Sequence, residues 1–204
     1  MLRGLYAITD PHLTPPATLL HQVHSALRGG ARIIQYRDKT SPLPLRLQMA
    51  QQLREITRNM GALLIINDDL TLCLECDADG VHLGQEDTPV AQARQQLGRN
   101  KIIGATCHGS ETLANTAINQ GANYLAFGRF FPSQTKPDAL PADLDQLRPF
   151  LQTCPLPTVA IGGITLNNAA PLVDAGFTML AVINDLFDRN DTEQHCQQYS
   201  SLFQ

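Results

Sequence analysis

No apolar run in this chain approaches the roughly 18 residues that a helix needs to cross a bilayer. Its opening, Met1-Leu2-Arg3-Gly4-Leu5-Tyr6, has no signal-peptide h-region. Both absences predict a cytoplasmic protein with no membrane partner. The chain also lacks a charge excess: 15 Lys and Arg against 19 Asp and Glu leave a net charge of −4. Such a balance gives no global attraction to nucleic acid, so any affinity for phosphate has to come from a local cluster. A disulfide or zinc framework is lacking too, because the five cysteines are odd in number. Cys73-Leu74-Glu75-Cys76 has the C-x-x-C form without a partner pair, and the i,i+3 spacing of a helix explains it more simply. Low-complexity tracts, long charge blocks and fixed-period repeats are missing as well. With 204 residues, 43% of them hydrophobic, the expectation is one compact domain over 1–204 with a sizeable core.

What is present is a recurrence of short apolar runs, near Leu5 to Ile8, Arg32 to Tyr36, Leu63 to Ile66, Gly80 to Leu83, Ile102 to Thr106, Tyr124 to Phe127, Thr158 to Ile161 and Met179 to Ile183. Helical signatures lie between them. Met49, Leu53, Ile56 and Met60 follow i, i+4, i+7, i+11 and end at Gly61, a natural left-handed stop. Thr88 with Pro89 reads as a start before a helix ending at Gly98, Ser110 as the cap of one ending at Gly121, and Thr165 as the cap of one ending at Gly176. Alternating strand and helix imply a parallel sheet covered by helices, because parallel strands need crossover connections. An open doubly wound sheet is the alternative. Eight strands, and polar residues gathered after strands, favour a single-domain (β/α)8 TIM barrel with its site at the C-terminal face.

Four groups of residues carry chemistry. Asp68, in Ile66-Asn67-Asp68-Asp69, and Asp87, in Leu83-Gly84-Gln85-Glu86-Asp87, each follow an apolar run. Either aspartate can be a helix cap. Adjacent strands put them on one rim, however, and Asp69 and Glu86 are at hand for capping, which favours a shared Mg²⁺. Arg37 and Lys39, at i and i+2, fall on one side of a strand end and suit a diphosphate, one as a fork and one as a point charge. A solvated turn around Asp38 is the other reading. Ser133-Gln134-Thr135-Lys136 offers hydroxyls and an ammonium between two prolines, and Gly162-Gly163-Ile164-Thr165 offers backbone N–H groups where barrels often bind phosphate. His82 reads as a packed or hydrogen-bonded barrel histidine, and His108 as a residue of the site or of the rim just past its strand.

These motifs, read together with Leu5-Tyr6-Ala7-Ile8-Thr9-Asp10, Gln35-Tyr36-Arg37-Asp38-Lys39, Gly80-Val81-His82-Leu83, Gly104-Ala105-Thr106, Phe127-Gly128-Arg129-Phe130-Phe131-Pro132 and Ala181-Val182-Ile183-Asn184, cover nearly the whole chain. The chain resembles the bacterial thiamine phosphate synthases. The resemblance implies a (β/α)8 barrel. It also implies a transferase that joins 4-amino-5-hydroxymethyl-2-methylpyrimidine diphosphate to 4-methyl-5-(2-phosphoethyl)thiazole, with one Mg²⁺ per site, giving thiamine phosphate and diphosphate. By the same resemblance Gln35, Arg37, Lys39, Asn67, Thr106 and Lys136 hold the pyrimidine diphosphate, with Tyr36 and Asp38 in the same segment. Arg37, Lys39, Lys136 and Thr106 act in catalysis, and Asp68 and Asp87 bind the metal. Ser133, Gln134, Thr135, Gly163, Ile183 and Asn184 receive the thiazole phosphate. Thr106 and Asn184 stand where many members carry serine, and Ser133 where many carry threonine; each keeps a polar group. A thiazole tautomerase on the same barrel and a non-catalytic thiamine-precursor binding protein are the rival readings, and the sequence leaves a homo-oligomer open.

Overall fold

The computed structural model describes residues 2–132 and 141–204. Strands and helices alternate along the chain. The first half runs β1 (Gly4–Ile8), α1 (Pro16–Arg28), β2 (Ile33–Tyr36), α2 (Leu43–Asn59), β3 (Leu63–Asn67), α3 (Leu70–Glu75), β4 (Gly80–Leu83) and α4 (Val90–Leu97). The second runs β5 (Ile102–His108), α5 (Glu111–Asn119), β6 (Tyr124–Phe127), α6 (Leu144–Thr153), β7 (Thr158–Ile161), α7 (Leu166–Asp174), β8 (Met179–Val182), α8 (Asn184–Phe187) and α9 (Thr192–Ser201). Each strand pairs in parallel with the next, and β1 closes on β8 through the register Gly4↔Met179 to Ala7↔Val182. Closure leaves no sheet edge and excludes the open doubly wound alternative.

Because strand side chains alternate between faces, each strand feeds two cores. One face meets the helices, with Ala7, Ile34, Tyr36, Leu64, Ile66 and Val81 packed in a continuous layer with α1 and α2 residues such as Val23 and Leu53. The other face fills the barrel interior, where Tyr6, Ile33, Ile65, Tyr124, Val159 and Met179 pack together. Nearly continuous apolar strands are what burial on both faces demands.

The expected element boundaries hold with three shifts. In α2 the buried stripe is Met49, Ala50, Leu53 and Thr57. Met60, read as the last turn of that stripe, is 37% exposed, because the helix ends at Asn59 and Met60 sits at its C-cap. Helix α4 begins one residue later than the Thr88-Pro89 reading: Pro89 is the N-cap, and its carbonyl accepts from Ala93 N–H at 2.9 Å. His108, expected just past β5, is its last residue, beyond a register shift in the pairing with β6. The capping expectations for α5 and α7 are met. Ser110 Oγ accepts from Leu113 N–H at 3.2 Å, and Asn168 Oδ1 accepts from Thr165 N–H at 2.8 Å.

Candidate active site

Alternation decides which residues reach the mouth of the barrel. On β2 the interior parity carries Ile33 and Gln35 and continues to Arg37, while Ile34 and Tyr36 face the helices. On β3 it carries Ile65 and Asn67, on β4 His82, on β5 Gly104 and Thr106, and beyond β8 Ile183, which packs on the interior cluster. Gln35, Arg37, Asn67, Thr106 and Ile183 are thus brought to one mouth. Two other residues expected beside the pyrimidine diphosphate, Tyr36 and Asp38, are not brought to it. Tyr36 is 3% exposed in the layer under the helices, and its hydroxyl donates to Asp38 Oδ2 at 3.4 Å. Asp38 Oδ1 accepts from Thr40 N–H and Ser41 N–H, at 2.9 and 3.0 Å, so this carboxylate shapes the turn into α2. Their parity, one off from Gln35 and Arg37, turns both away from the mouth.

At the rim, charges of opposite sign interleave. Arg37 NH1 lies 3.8 Å from Asp10 Oδ2, and Arg37 N–H donates to Thr9 Oγ1 at 2.9 Å. Lys39 Nζ lies 2.6 Å from Asp68 Oδ2, an oxygen that also accepts from Asn67 Nδ2 at 2.8 Å. Asp68 has φ of 55°, a left-handed conformation that costs a non-glycine residue free energy and recurs at functional sites. Its N–H donates to His82 O at 2.9 Å, so the strained residue is anchored across the β3–β4 seam. Asp69 takes the capping role, accepting from Leu72 N–H at 2.9 Å. One oxygen of Asp87 accepts from Gly84 N–H at 2.6 Å.

Among the described residues no group of three or more His, Cys, Asp or Glu forms a cation cage. Magnesium does not require one. It is commonly held by one or two carboxylates, with water and substrate phosphate completing an octahedron. Asp68 and Asp87 follow adjacent strands, and capping of α3 falls to Asp69, so this donor set fits the ion.

The remaining expected residues divide. Gly163, at φ 64°, tolerates no side chain, since a Cβ there would lie 2.2 Å from Pro132 O. The carbonyl of Ile183 accepts from Leu186 N–H, and that of Asn184, the first residue of α8, from Asp188 N–H. His82 is the hydrogen-bonded barrel histidine expected, whereas His108 is exposed, with φ of 50°. Ser133, Gln134, Thr135 and Lys136 lie outside the described residues.

Three contributors escaped sequence reasoning. Tyr6 and Tyr124 build a polar floor inside the barrel, with hydroxyls 2.8 Å apart. The period of two along their strands is a signal that finds them. Asp185 has no such signal. Its Oδ2 accepts from Leu166 N–H at 3.2 Å, Tyr199 OH at 2.7 Å and, at 2.8 Å, His195 Nε2, while Oδ1 accepts from Arg189 NH2 at 3.1 Å. This carboxylate fastens α8 to α7 and α9, the helices behind Gly163 and Asn184. Burial pushes its pKa up, but the hydrogen bonds from His195 and Tyr199 prevail and hold it below the ordinary value.

The family model for thiamine monophosphate synthase matches residues 5–186. The chain belongs to that family. A thiamine-phosphate synthase from Alcanivorax borkumensis is 51% identical over 100% of this chain and 95% of its own. One from Thioalkalivibrio sulfidiphilus is 46% identical over 100% and 96%. A thiamine phosphate pyrophosphorylase structure from Pyrococcus furiosus superposes with a TM-score of 0.89 at 36% identity, covering 98% of this chain and 95% of that one. The chain is therefore an enzyme of thiamine biosynthesis, a transferase with thiamine-phosphate synthase activity on a (β/α)8 barrel. Among the described residues no helix is long and apolar enough to cross a membrane.

Proposed function

We propose that the mouth formed by β2 to β5 holds the pyrimidine diphosphate and that the connections after β6, β7 and β8 receive the thiazole phosphate. The observation that carries this reading is the convergence of Gln35, Arg37, Asn67 and Thr106 on one interior parity, with Asp68 and Asp87 at the ends of adjacent strands. In this reading the buried Gln35 amide meets the ring, and Arg37 and Lys39 grip the diphosphate. Lys136 adds a third positive charge, and Ser133, Gln134, Thr135, Gly163, Ile183 and Asn184 form the second pocket. The dense carboxylate and cation set distinguishes a diphosphate-releasing synthase from a proton-moving tautomerase, which needs no such grip.

The chemistry follows from the leaving group. Departure of diphosphate from the pyrimidine methylene breaks a C–O bond and leaves a cation that the aminopyrimidine ring delocalises. The thiazole nitrogen then forms the new C–N bond, so no enzyme nucleophile is needed. Negative charge grows on the departing oxygens. Arg37, Lys39 and Lys136 stabilise it where it develops, and holding the two substrates in line supplies the remainder. A Mg²⁺ held by Asp68 and Asp87 would add Lewis-acid neutralisation of the diphosphate. The Lys39–Asp68 contact of 2.6 Å lets Lys39 neutralise Asp68, a carboxylate that would otherwise be free to hold Mg²⁺.

The test is diphosphate release from the pyrimidine diphosphate in the presence of the thiazole phosphate, with and without Mg²⁺, with the product weighed by mass spectrometry. Stoichiometric thiamine phosphate that depends on Mg²⁺ is expected. Equal turnover in chelator removes the metal assignment.

A further inference from the structure

A continuous chain of hydrogen bonds crosses the barrel beneath the mouth and joins two residues assigned above to the pyrimidine diphosphate. Gln35 Nε2 donates to Tyr6 OH at 2.7 Å, and Tyr6 OH lies 2.8 Å from Tyr124 OH. Tyr124 OH lies 3.0 Å from His82 Nδ1, and His82 Nε2 lies 2.9 Å from Thr106 Oγ1. Both tyrosines are buried, at 1% and 0% exposure, and Gln35 is at 3%, so water cannot substitute for the Gln35–Tyr6–Tyr124 links, while His82 and Thr106 at the mouth end are half-buried. Tyr124 is held in place sterically as well as by hydrogen bonds. It pairs with Gly104 across the β5–β6 seam, and a Cβ on Gly104 would lie 1.9 Å from the phenol ring.

With the Gln35 amide as donor to Tyr6, counting protons gives the direction of the rest of the chain. Each hydroxyl has one proton and a neutral imidazole has one N–H. The Tyr6 hydroxyl accepts from the Gln35 amide, so its own proton goes to Tyr124. Tyr124 then has its proton left for His82 Nδ1. That nitrogen is the acceptor, which places the imidazole proton on Nε2, where it is donated to Thr106 Oγ1. The Thr106 hydroxyl, having received a hydrogen bond, has its own proton to give.

We propose that Gln35, Tyr6, Tyr124 and His82 act as a one-way relay that makes Thr106 an obligatory hydrogen-bond donor toward an acceptor atom of the pyrimidine diphosphate. Tyr6, Tyr124 and His82 are positioning residues that need not touch substrate. The identity of the molecule meeting Thr106 rests on the function proposed above, whereas the polarity of the relay does not. The reverse polarity starts from a Gln35 amide turned the other way: Tyr6 donates to it, Tyr124 to Tyr6, His82 Nδ1–H to Tyr124, and Thr106 to His82 Nε2. In that arrangement the proton is withdrawn from the site. Substrate recognition and imidazole tautomer are therefore coupled to Gln35, Tyr6 and Tyr124, buried groups for which unpaired alternatives are costly.

The first measurement reads the tautomer in substrate-free protein, by ¹⁵N NMR of histidine-labelled enzyme, with His82→Gln identifying the His82 signals. A proton on Nε2 with an unprotonated Nδ1 is expected; a proton on Nδ1 overturns the proposal whatever the enzyme's substrates are. The second measurement is kinetic. Thr106→Val should lower kcat/KM for the pyrimidine diphosphate by about 100-fold, the scale of losing one preorganised donor. Thr106→Ser should restore activity. Tyr124→Phe, which keeps the packing but releases the His82 tautomer, should lower the same parameter by about 10-fold and leave KM for the thiazole phosphate unchanged. The Tyr124→Phe and Thr106→Val pair should be no worse than Thr106→Val alone, because both act through one proton. Additive losses, or equal losses for the two substrates, would show Tyr124 to be merely structural and overturn the relay. Absence of thiamine phosphate from the wild-type enzyme would instead count against the function and leave the tautomer result standing.

Discussion

At the residue scale the site shows a carboxylate doing work that its neighbour frees it to do. Asp69 caps α3, so Asp68 keeps its oxygens for Lys39 and Asn67 and holds a left-handed backbone that ordinary loops avoid. The Asp87 carboxylate accepts from Gly84 N–H, and Asp87 N–H donates back to the Gly84 carbonyl. Asp87→Ala is expected to lower turnover by at least about 100-fold, as loss of a metal ligand or its support does, and to abolish the response to added Mg²⁺. Undiminished turnover across a magnesium titration would remove Asp87 from the metal site. The position of both aspartates past strand ends was legible in the sequence because Asp-after-strand is a local pattern. Tyr36 and Asp38 turn away from the mouth for an equally local reason. Adjacent residues in Gln35-Tyr36-Arg37-Asp38-Lys39 share a motif but not a face, and only the alternation separates those that reach the mouth.

At the element scale the turn between β2 and α2 is held by Asp38. Partial burial pushes its carboxyl pKa up, but the bonds from Ser41 and Thr40 outweigh this and bring it from 3.8 to about 2. A depressed folded pKa means the ionised form stabilises the fold above the unfolded value, and that contribution is lost as the pH falls through the folded one. The difference in urea midpoint between wild type and Asp38→Ala should therefore be constant above pH 4 and narrow as the pH drops toward 2. A difference that persists at pH 2 would assign the effect to packing instead. Helix stops were read correctly where glycine takes a positive φ, as at Gly61, Gly98 and Gly121. The start of α4 was read one residue early, because the residue opening a helix is chosen by the first i→i−4 bond as well as by residue type.

At the scale of the whole molecule, closure of β1 on β8 converts eight local signals into one mouth, and the Asp185 network clamps the last helices behind it. Asp185→Ala leaves Tyr199, His195 and Arg189 without their shared acceptor. The expected cost is about 2–4 kcal/mol, the scale of breaking a mostly buried charged network, measured as a lowered urea midpoint. A shift below about 0.5 kcal/mol, the range of a neutral surface change, would refute the clamp. By itself the sequence determined the strand and helix alternation, the parallel sheet and the family resemblance, since hydrophobic period, glycine stops and ordered motifs are properties of neighbouring residues. Only the tertiary structure decided that Tyr6 and Tyr124, 118 positions apart, share a hydrogen bond, and that Asp185 reaches Leu166 across two helices. Those contacts depend on barrel closure and register, which fix distances between segments that no local pattern relates.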